Sequence, residues 1–117
     1  MNFEEHAGKP LLKAAGIPVP DGGVATTADQ AADIAGPLGK VAVKAQVPTG
    51  KRGKAGGIKI ADDAAAAKAA AEAILGMTIG EHVVEKVLVE QATAFTREFY
   101  AACINDPETK GPKILFS

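Results

Sequence analysis

The 117-residue chain contains no tryptophan and one cysteine, and aromatic side chains make up 4% of it. The single cysteine, Cys103, cannot form an intramolecular disulfide and offers no metal-ligand spacing, so we expect a buried strand thiol. No apolar run approaches the ~18–20 residues that cross a bilayer, and a membrane partner is not expected. The start, Met1-Asn2-Phe3-Glu4-Glu5, lacks the basic and then apolar order of a signal peptide. These absences favour a cytoplasmic location.

What is present indicates one folded domain. Hydrophobic residues make up 47% of the chain, charged residues 23%, and the formal net charge is −1, a composition that excludes a disordered chain. The 24 alanines bury little apolar area each, so we expect a thin core and marginal stability. The C-terminal run Ile114-Leu115-Phe116 is apolar and strand-like. It either docks in its own sheet or exposes an edge through which copies of the chain self-associate.

The first 16 residues predict a leading helix. Asn2 and Glu5 have the spacing of a capping box, and apolar residues then recur at helical intervals until Gly16. Pro10 lies inside this pattern. Because proline costs about 3 kcal/mol in a helix interior, the helix is expected to be bent or to begin late.

The remaining pattern mixes short helices and strands. Thr27 and Gln30 again have capping-box spacing, and Asp62 or Asp63 can cap an alanine-rich helix. Asp21-Gly22-Gly23 is expected to be a turn. Period-two and β-branched patterns predict strands over residues 24–26, 41–47, 57–61, 87–90, 96–104 and 113–116. Because strands and helices do not alternate strictly, we expect an α+β fold with a mainly antiparallel sheet and flanking helices.

Residues 44–59, KAQVPTGKRGKAGGIK, carry five of the 13 basic residues, four glycines and no acid. Glycines free backbone N–H groups to face an anion and the basic side chains supply charge, so an oxygen-rich anion is expected there. The P-loop pattern fails because no Lys-Ser or Lys-Thr follows the last glycine and a strand comes next. The segment instead predicts a glycine-rich hairpin that can fold over phosphates. A solvated hairpin tip without a ligand is the alternative.

Individual charges in and after this segment differ in their expected surroundings. Lys44 is the best candidate for a closed pocket because it lies in a strand, whereas its basic neighbours lie on a loop. Glu90 ends an apolar strand and Glu98 lies early in the next one, so both can border a cleft. The alternatives are that Glu90 is only a charge at a strand end and that Glu98 is only a solvated strand residue. Nucleic acid is disfavoured as a partner because no aromatic residue is interleaved with the basic ones.

Three stretches match a known pattern: LLKAAGIPVP (11–20), VKAQVPTGKRGKAGGIKI (43–60) and LVEQATAFTREFYAACINDP (88–107). The chain thereby resembles the β subunit of succinyl-CoA synthetase and related nucleoside-diphosphate-forming acyl-CoA ligases, which carry an ATP-grasp nucleotide site. The resemblance covers essentially the whole chain but only the opening part of such a subunit. It implies a truncated ATP-grasp N-terminal portion, with residues 1–16 as leading helix, 17–92 as a small α+β subdomain and 93–117 as the start of a second subdomain.

The resemblance also implies roles for seven residues. Lys44 falls at the lysine that reaches the nucleotide phosphates. Lys51-Arg52-Gly53 falls at a Gly-Arg-Gly of the phosphate flap, so Lys51 is a departure that either adds charge or crowds the phosphates. Glu90 and Thr93 match the hinge that holds the base, largely through backbone groups. Glu98 matches the carboxylate that hydrogen-bonds the ribose hydroxyls. The implied nucleotide is ATP or GTP.

The implied reaction converts a nucleoside triphosphate, a dicarboxylate such as succinate and coenzyme A into an acyl-CoA, a nucleoside diphosphate and phosphate. The implied partner is an α subunit, and Mg²⁺ is expected in the complete enzyme. Because the magnesium ligands and the rest of the cleft lie downstream in the family, we expect this chain alone to be inactive. Two alternatives stay open: a relative that uses malate, citrate or acetate, and a non-catalytic anion-binding or scaffolding module.

Overall fold

The computed structural model describes residues 2–117, and within them every strand pair is antiparallel. The elements in chain order are α1 (Glu5–Ala14), β1 (Gly22–Ala25), α2 (Ala28–Ala35), β2 (Val41–Ala45), β3 (Ile58–Ala61), α3 (Ala64–Ile74), β4 (Thr78–Ile79), β5 (His82–Val83), β6 (Val87–Gln91), β7 (Ala101–Asp106) and β8 (Gly111–Phe116). The expected α+β class with an antiparallel sheet is confirmed. None of these helices is long and apolar enough to cross a membrane.

A four-stranded sheet with the order β1-β6-β2-β3 forms the centre of the fold. Its two inner strands are apolar on one face, where Val43 lies opposite Val89 of β6 and both side chains are fully buried. Successive strand residues point to opposite faces, so Lys44, next to Val43, lies on the other face of the sheet. The sheet therefore has a packed face and an open face.

Helices α2 and α3 cover the packed face. Helix α3 buries Ala67, Ala70, Ala71 and Ile74 against the sheet, and α2 buries Ala31 and Ala35. Alanine side chains let a helix lie close to a sheet, and alanine is also the strongest helix former. The thin, alanine-rich core that the composition predicts is located between these two helices and the sheet.

Both helices begin at side-chain caps. Thr27 Oγ1 accepts a hydrogen bond from the Gln30 backbone N–H at 3.2 Å, and Asp63 Oδ1 accepts one from the Ala66 N–H at 2.8 Å. Each bond satisfies a backbone donor that has no partner within the helix. The cap expected at Thr27 is confirmed, and of the two aspartates proposed for α3, Asp63 is the cap.

The capping box expected at the start of the chain is wrong. Helix α1 begins at Glu5 with Glu4 as its N-cap, and no side chain caps it. Instead of capping, the Glu5 carboxylate accepts hydrogen bonds from Lys44 of β2 and from Arg52 of the loop that follows β2. Pro10 lies within α1, which begins three residues after the expected cap at Asn2.

Glycines expected in a turn form the first strand. Gly22 lies opposite Glu90 in the β1–β6 pair, and a side chain at Gly22 would bring its Cβ to 2.7 Å from the Glu90 Cα. The close approach of the two backbones therefore requires glycine at this position. The small hairpin of β4 and β5 was not expected, because two-residue strands carry no detectable period.

The last hairpin, β7–β8, forms a sheet of its own beyond the central one. Strand β7 begins at Ala101, whereas the sequence pattern predicted a start at Thr96, and its Cys103 is exposed and not buried. The strand starts later because its pairing with β8 begins at Ala101 opposite Phe116, and Cys103 is exposed because no other layer of the described residues packs on this hairpin. The central sheet ends at Gln91, and a subdomain boundary between residues 92 and 93 stays a prediction.

Gly57 provides a test of the packing beneath the β2–β3 connection. A Cβ at Gly57 would lie 2.6 Å from Ile79 Cδ1 and 3.1 Å from both the Ala45 Cβ and the Arg52 carbonyl oxygen. Overpacking of this kind costs about 1–3 kcal/mol, so we expect Gly57→Ala to lower the free energy of unfolding in urea by about 2 kcal/mol. In Gly53→Ala the added Cβ meets Ile58 Cδ1 at 3.8 Å, an ordinary contact, so this matched control should stay within about 0.5 kcal/mol of wild type. Equal stabilities of the two variants would contradict the packing described here.

Candidate functional site

The connection between β2 and β3, residues 46–57, is the glycine loop. It is held at its base by two backbone hydrogen bonds: Gly57 N–H donates to the Arg52 carbonyl at 2.8 Å, and Ala45 N–H donates to the Gly57 carbonyl at 2.7 Å. Gly56 has a φ of 82° and Lys51 a φ of 62°. The left-handed conformation at Lys51 is one that glycine adopts without strain. The loop borders an open cavity of about 780 Å³.

Lys44 and Glu90 lie on the open face of the central sheet. Lys44 is opposite Leu88 in the β2–β6 register, so Glu90 is its diagonal neighbour on the same face. The Lys44 Nζ donates to Glu90 Oε1 at 2.5 Å. Only 5% of the Glu90 side chain is exposed, so its carboxylate requires compensating charge.

The compensating charge comes from helix α1 and the glycine loop as well as from β2. Glu5 Oε1 accepts a hydrogen bond from Lys44 Nζ at 3.0 Å, and Glu5 Oε2 accepts one from Arg52 Nη2 at 2.9 Å. Lys9, one turn after Glu5, pairs with both Glu5 and Glu90. These five side chains, three cations and two carboxylates, are the charge cluster.

Burial and charge act in opposite directions on the titrating groups of the charge cluster. Burial raises the pKa of Glu5, but the bonds and charges of Lys44, Arg52 and Lys9 outweigh it and lower that pKa to about 2. Burial likewise lowers the pKa of Lys44, but its hydrogen bonds to Glu90 and Glu5 outweigh burial and raise the pKa above its usual value. Glu5 and Lys44 are therefore both ionised at neutral pH.

The Arg52 side chain is fixed between the sheet and helix α1. Its Nη1 donates to the Ala45 carbonyl at 2.8 Å while its Nη2 donates to Glu5. A planar guanidinium with donors on two edges can hold one partner while it presents the other edge to an anion. Arg52 is thus oriented toward the same carboxylate that Lys44 binds.

A smaller cavity of about 280 Å³ lies on the open face beside the charge cluster. Lys44 and Glu90 form its polar side, and Ile58, Ile60 and Phe95 supply apolar surface. Thr93 borders the same cavity and is exposed. A cavity with one charged and one apolar side suits a ligand that carries both an anionic and a flat apolar part.

The residues singled out from the sequence are only partly brought together. Lys44 and Arg52 bind one carboxylate, and Glu90 and Thr93 border one cavity with Lys44. Lys51 and Gly53 lie exposed on the glycine loop and border the larger cavity.

Glu98 is placed apart from these side chains. It is exposed in the segment before β7, where it borders a different cavity together with Phe99, Tyr100 and Ser117. The expectation that it lies within a strand is wrong, because β7 begins at Ala101. The binding roles implied for all seven residues stay predictions.

Sequence reasoning missed three side chains of this region: Glu5, Lys9 and Gln46. Gln46 is buried and accepts a hydrogen bond from the His6 backbone N–H at 2.8 Å, which ties α1 to the end of β2. The spacing of Glu5 and Lys9, four residues apart, indicates an ion pair on a helix. No signal in the sequence pairs them with Lys44, Arg52 or Glu90.

Among residues 2–117 no group of three or more histidine, cysteine, aspartate or glutamate side chains is arranged to hold a metal ion. The charge cluster contains two carboxylates, and both are already bonded to lysine or arginine. These residues therefore do not fit a magnesium site.

Comparison with known proteins identifies the family of this chain. The ATP-grasp domain family matches residues 2–117. The chain is 51% identical to the succinate–CoA ligase (ADP-forming) subunit beta of Gemmatimonas aurantiaca and 46% identical to the succinate–CoA ligase (GDP-forming) subunit beta of Thermus thermophilus. Both alignments cover 100% of this chain, which spans 31% of the length of each of these curated relatives.

A solved structure agrees with the fold. The dinucleotide-forming acetyl-coenzyme A synthetase 1 of Candidatus Korarchaeum cryptofilum, in complex with coenzyme A, Ca-AMPCP and HgCl⁺, superposes with a TM-score of 0.86 over 99% of this chain and 53% of that chain. At 22% sequence identity this likeness concerns the fold alone. With a family match that extends from residue 2 to the last residue, the chain belongs to the ATP-grasp domain family.

Proposed function

We propose that this chain is the nucleotide-binding N-terminal portion of a succinate–CoA ligase-type β subunit. The observation that carries the proposal is the convergence of Lys44 and Arg52 on a single carboxylate beside a glycine loop. A lysine and an arginine held on one anionic group, next to a glycine-rich loop, can also hold a phosphoryl group.

The phosphates and the base of the nucleotide each have a proposed binding site in the chain. Lys44, Arg52 and the glycine loop, including Lys51 and Gly53, bind the phosphates. The apolar side of the smaller cavity receives the base, with Thr93 and the backbone at Glu90 beside it.

Glu98 is proposed to bind the ribose. Because it borders another cavity, this role requires the segment before β7 to approach the central sheet when nucleotide binds. The role of Glu98 is the part of the proposal that stands on the family pattern and not on proximity.

The relatives support the class of reaction. Their names describe ADP-forming and GDP-forming succinate–CoA ligase β subunits, so we propose ATP or GTP as the nucleotide, succinate as the acid and an α subunit as the partner. In that reaction the present residues position and neutralise the phosphates, which is how most phosphoryl-transfer sites act. A cytoplasmic location, and Mg²⁺ held in the complete enzyme by residues outside this chain, are further parts of the proposal.

The first test is a calorimetric titration of the chain with ATP. A unit charge about 4 Å from a phosphate is worth up to about 4 kcal/mol at an effective dielectric of 20, so Lys44→Met should weaken ATP binding at least about tenfold. Folding should persist because Lys9 still pairs with Glu90 in this variant.

Lys40→Met is the matched control. The Lys40 side chain, just before β2, is 61% exposed and its Nζ lies 3.8 Å from Asp62 Oδ1, so its removal should leave the affinity for ATP unchanged. The proposal is refuted by equal affinities of wild type and Lys44→Met for ATP.

A second test concerns the complete reaction. When the chain is incubated with labelled ATP, succinate and coenzyme A, we expect no succinyl-CoA, because the chain spans 31% of its relatives and the described residues hold no magnesium site. Chromatographic detection of labelled ADP together with succinyl-CoA would show that residues 1–117 suffice for ligation.

We also propose that the chain self-associates through the β7–β8 hairpin. Ile114 is 79% exposed and Phe116 72% exposed, and the outer edges of both strands pair with no other strand in residues 2–117. A charge on such an edge opposes pairing, so sedimentation velocity should show wild-type dimers or larger species and an Ile114→Lys monomer. Ile60→Lys on edge strand β3, where the replaced side chain is 60% exposed, should associate like wild type. A monomeric wild-type chain would exclude this contact.

A further inference from the structure

The Glu5 carboxylate occupies the position where Lys44 and Arg52 converge. One of its oxygens accepts from Lys44 Nζ at 3.0 Å and the other accepts from Arg52 Nη2 at 2.9 Å. Two oxygens of one anion, each bonded to a different cation, reproduce the way a phosphoryl group is held by a lysine and an arginine. A phosphate that contacts both cations must take the place of this carboxylate.

Helix α1, which carries Glu5, is held to the sheet by polar contacts. None of its residues is buried, and Leu11 in the helix is 62% exposed. Its tethers are the Glu5 and Lys9 ion pairs and the hydrogen bond from the His6 N–H to Gln46. Displacement of Glu5 therefore breaks ion pairs and exposes no fully buried side chain of the helix.

Charge within the cluster favours an incoming anion once Glu5 has left. The cluster holds Lys9, Lys44 and Arg52 against Glu5 and Glu90, so one positive charge is in excess. Without Glu5 the excess is two. A polyphosphate carries more negative charge than one carboxylate, so the two uncompensated positive charges attract it more strongly than they attract Glu5.

We propose that Glu5 is an internal competitor of the nucleotide phosphates, which occupies the position between Lys44 and Arg52 until a polyphosphate displaces it. The inference rests on the proposed function, since it assumes that these two cations are the phosphate-binding groups. Glu5 keeps the cations in place in the free protein. The same contact lowers the affinity of the two cations for phosphate, so only a ligand with several phosphoryl charges displaces Glu5.

The test compares wild type, Glu5→Gln and Glu4→Gln by calorimetric titration with ATP and with inorganic tripolyphosphate. Glu4→Gln is the matched control because Glu4, also 21% exposed, pairs with Lys86 and His6 and contacts neither Lys44 nor Arg52. Both variants change the net charge equally. Glu5→Gln should bind both ligands about tenfold more tightly than wild type, and Glu4→Gln should bind them like wild type.

The outcomes separate this inference from the proposed function. Binding of ATP with the same affinity by all three proteins overturns the competition and leaves nucleotide binding intact. Weaker binding by Glu5→Gln also overturns it, because Glu5 would then support the cations without competing. If none of the three binds either ligand, even with the cations freed in Glu5→Gln, the proposed function is refuted together with the inference.

Discussion

The ion pair between Lys44 and Glu90 is the interaction on which the rest of the site depends. It forms because β2 and β6 pair in a register that makes the two residues diagonal neighbours on one face. The same register buries Val43 against Val89 on the opposite face. A slip of one residue would turn Lys44 into the core and Val43 into the cavity. The packing of the core and the position of the site are therefore set by one constraint.

Local signals predicted the elements around this constraint well. The glycine loop lies between two antiparallel strands as expected, and the caps at Thr27 and Asp63 are formed by side chains within three residues of their backbone partners. Such features depend on nearby residues, so a single sequence contains the information that specifies them. Recognition of the family rested on the same glycine loop and its flanking strands together with residues 11–20 and 88–107, and the family is confirmed.

Contacts between distant parts of the chain were not predictable in this way. Lys9 and Glu90 are 81 positions apart, and Glu5 and Arg52 are 47 apart, so no period or spacing relates them. The sequence pattern assigned Glu5 to a cap at Asn2, because a capping box is a local motif. The expectation that Cys103 is buried was wrong for a related reason: a strand pattern indicates an apolar segment but not whether another layer covers it.

Helix α3 lies on the sheet through alanines, and this has a consequence for the sequence changes that the protein can accept. Ala67 and Ala71 are fully buried. Glycine is the only smaller residue that could replace them, and glycine weakens a helix. Any other replacement adds volume to a fully buried interface, so we expect homologous chains to diverge here when a facing residue shrinks at the same time. This layer is thus expected to evolve by coupled exchanges, whereas the solvent-facing positions of the same helix can drift independently.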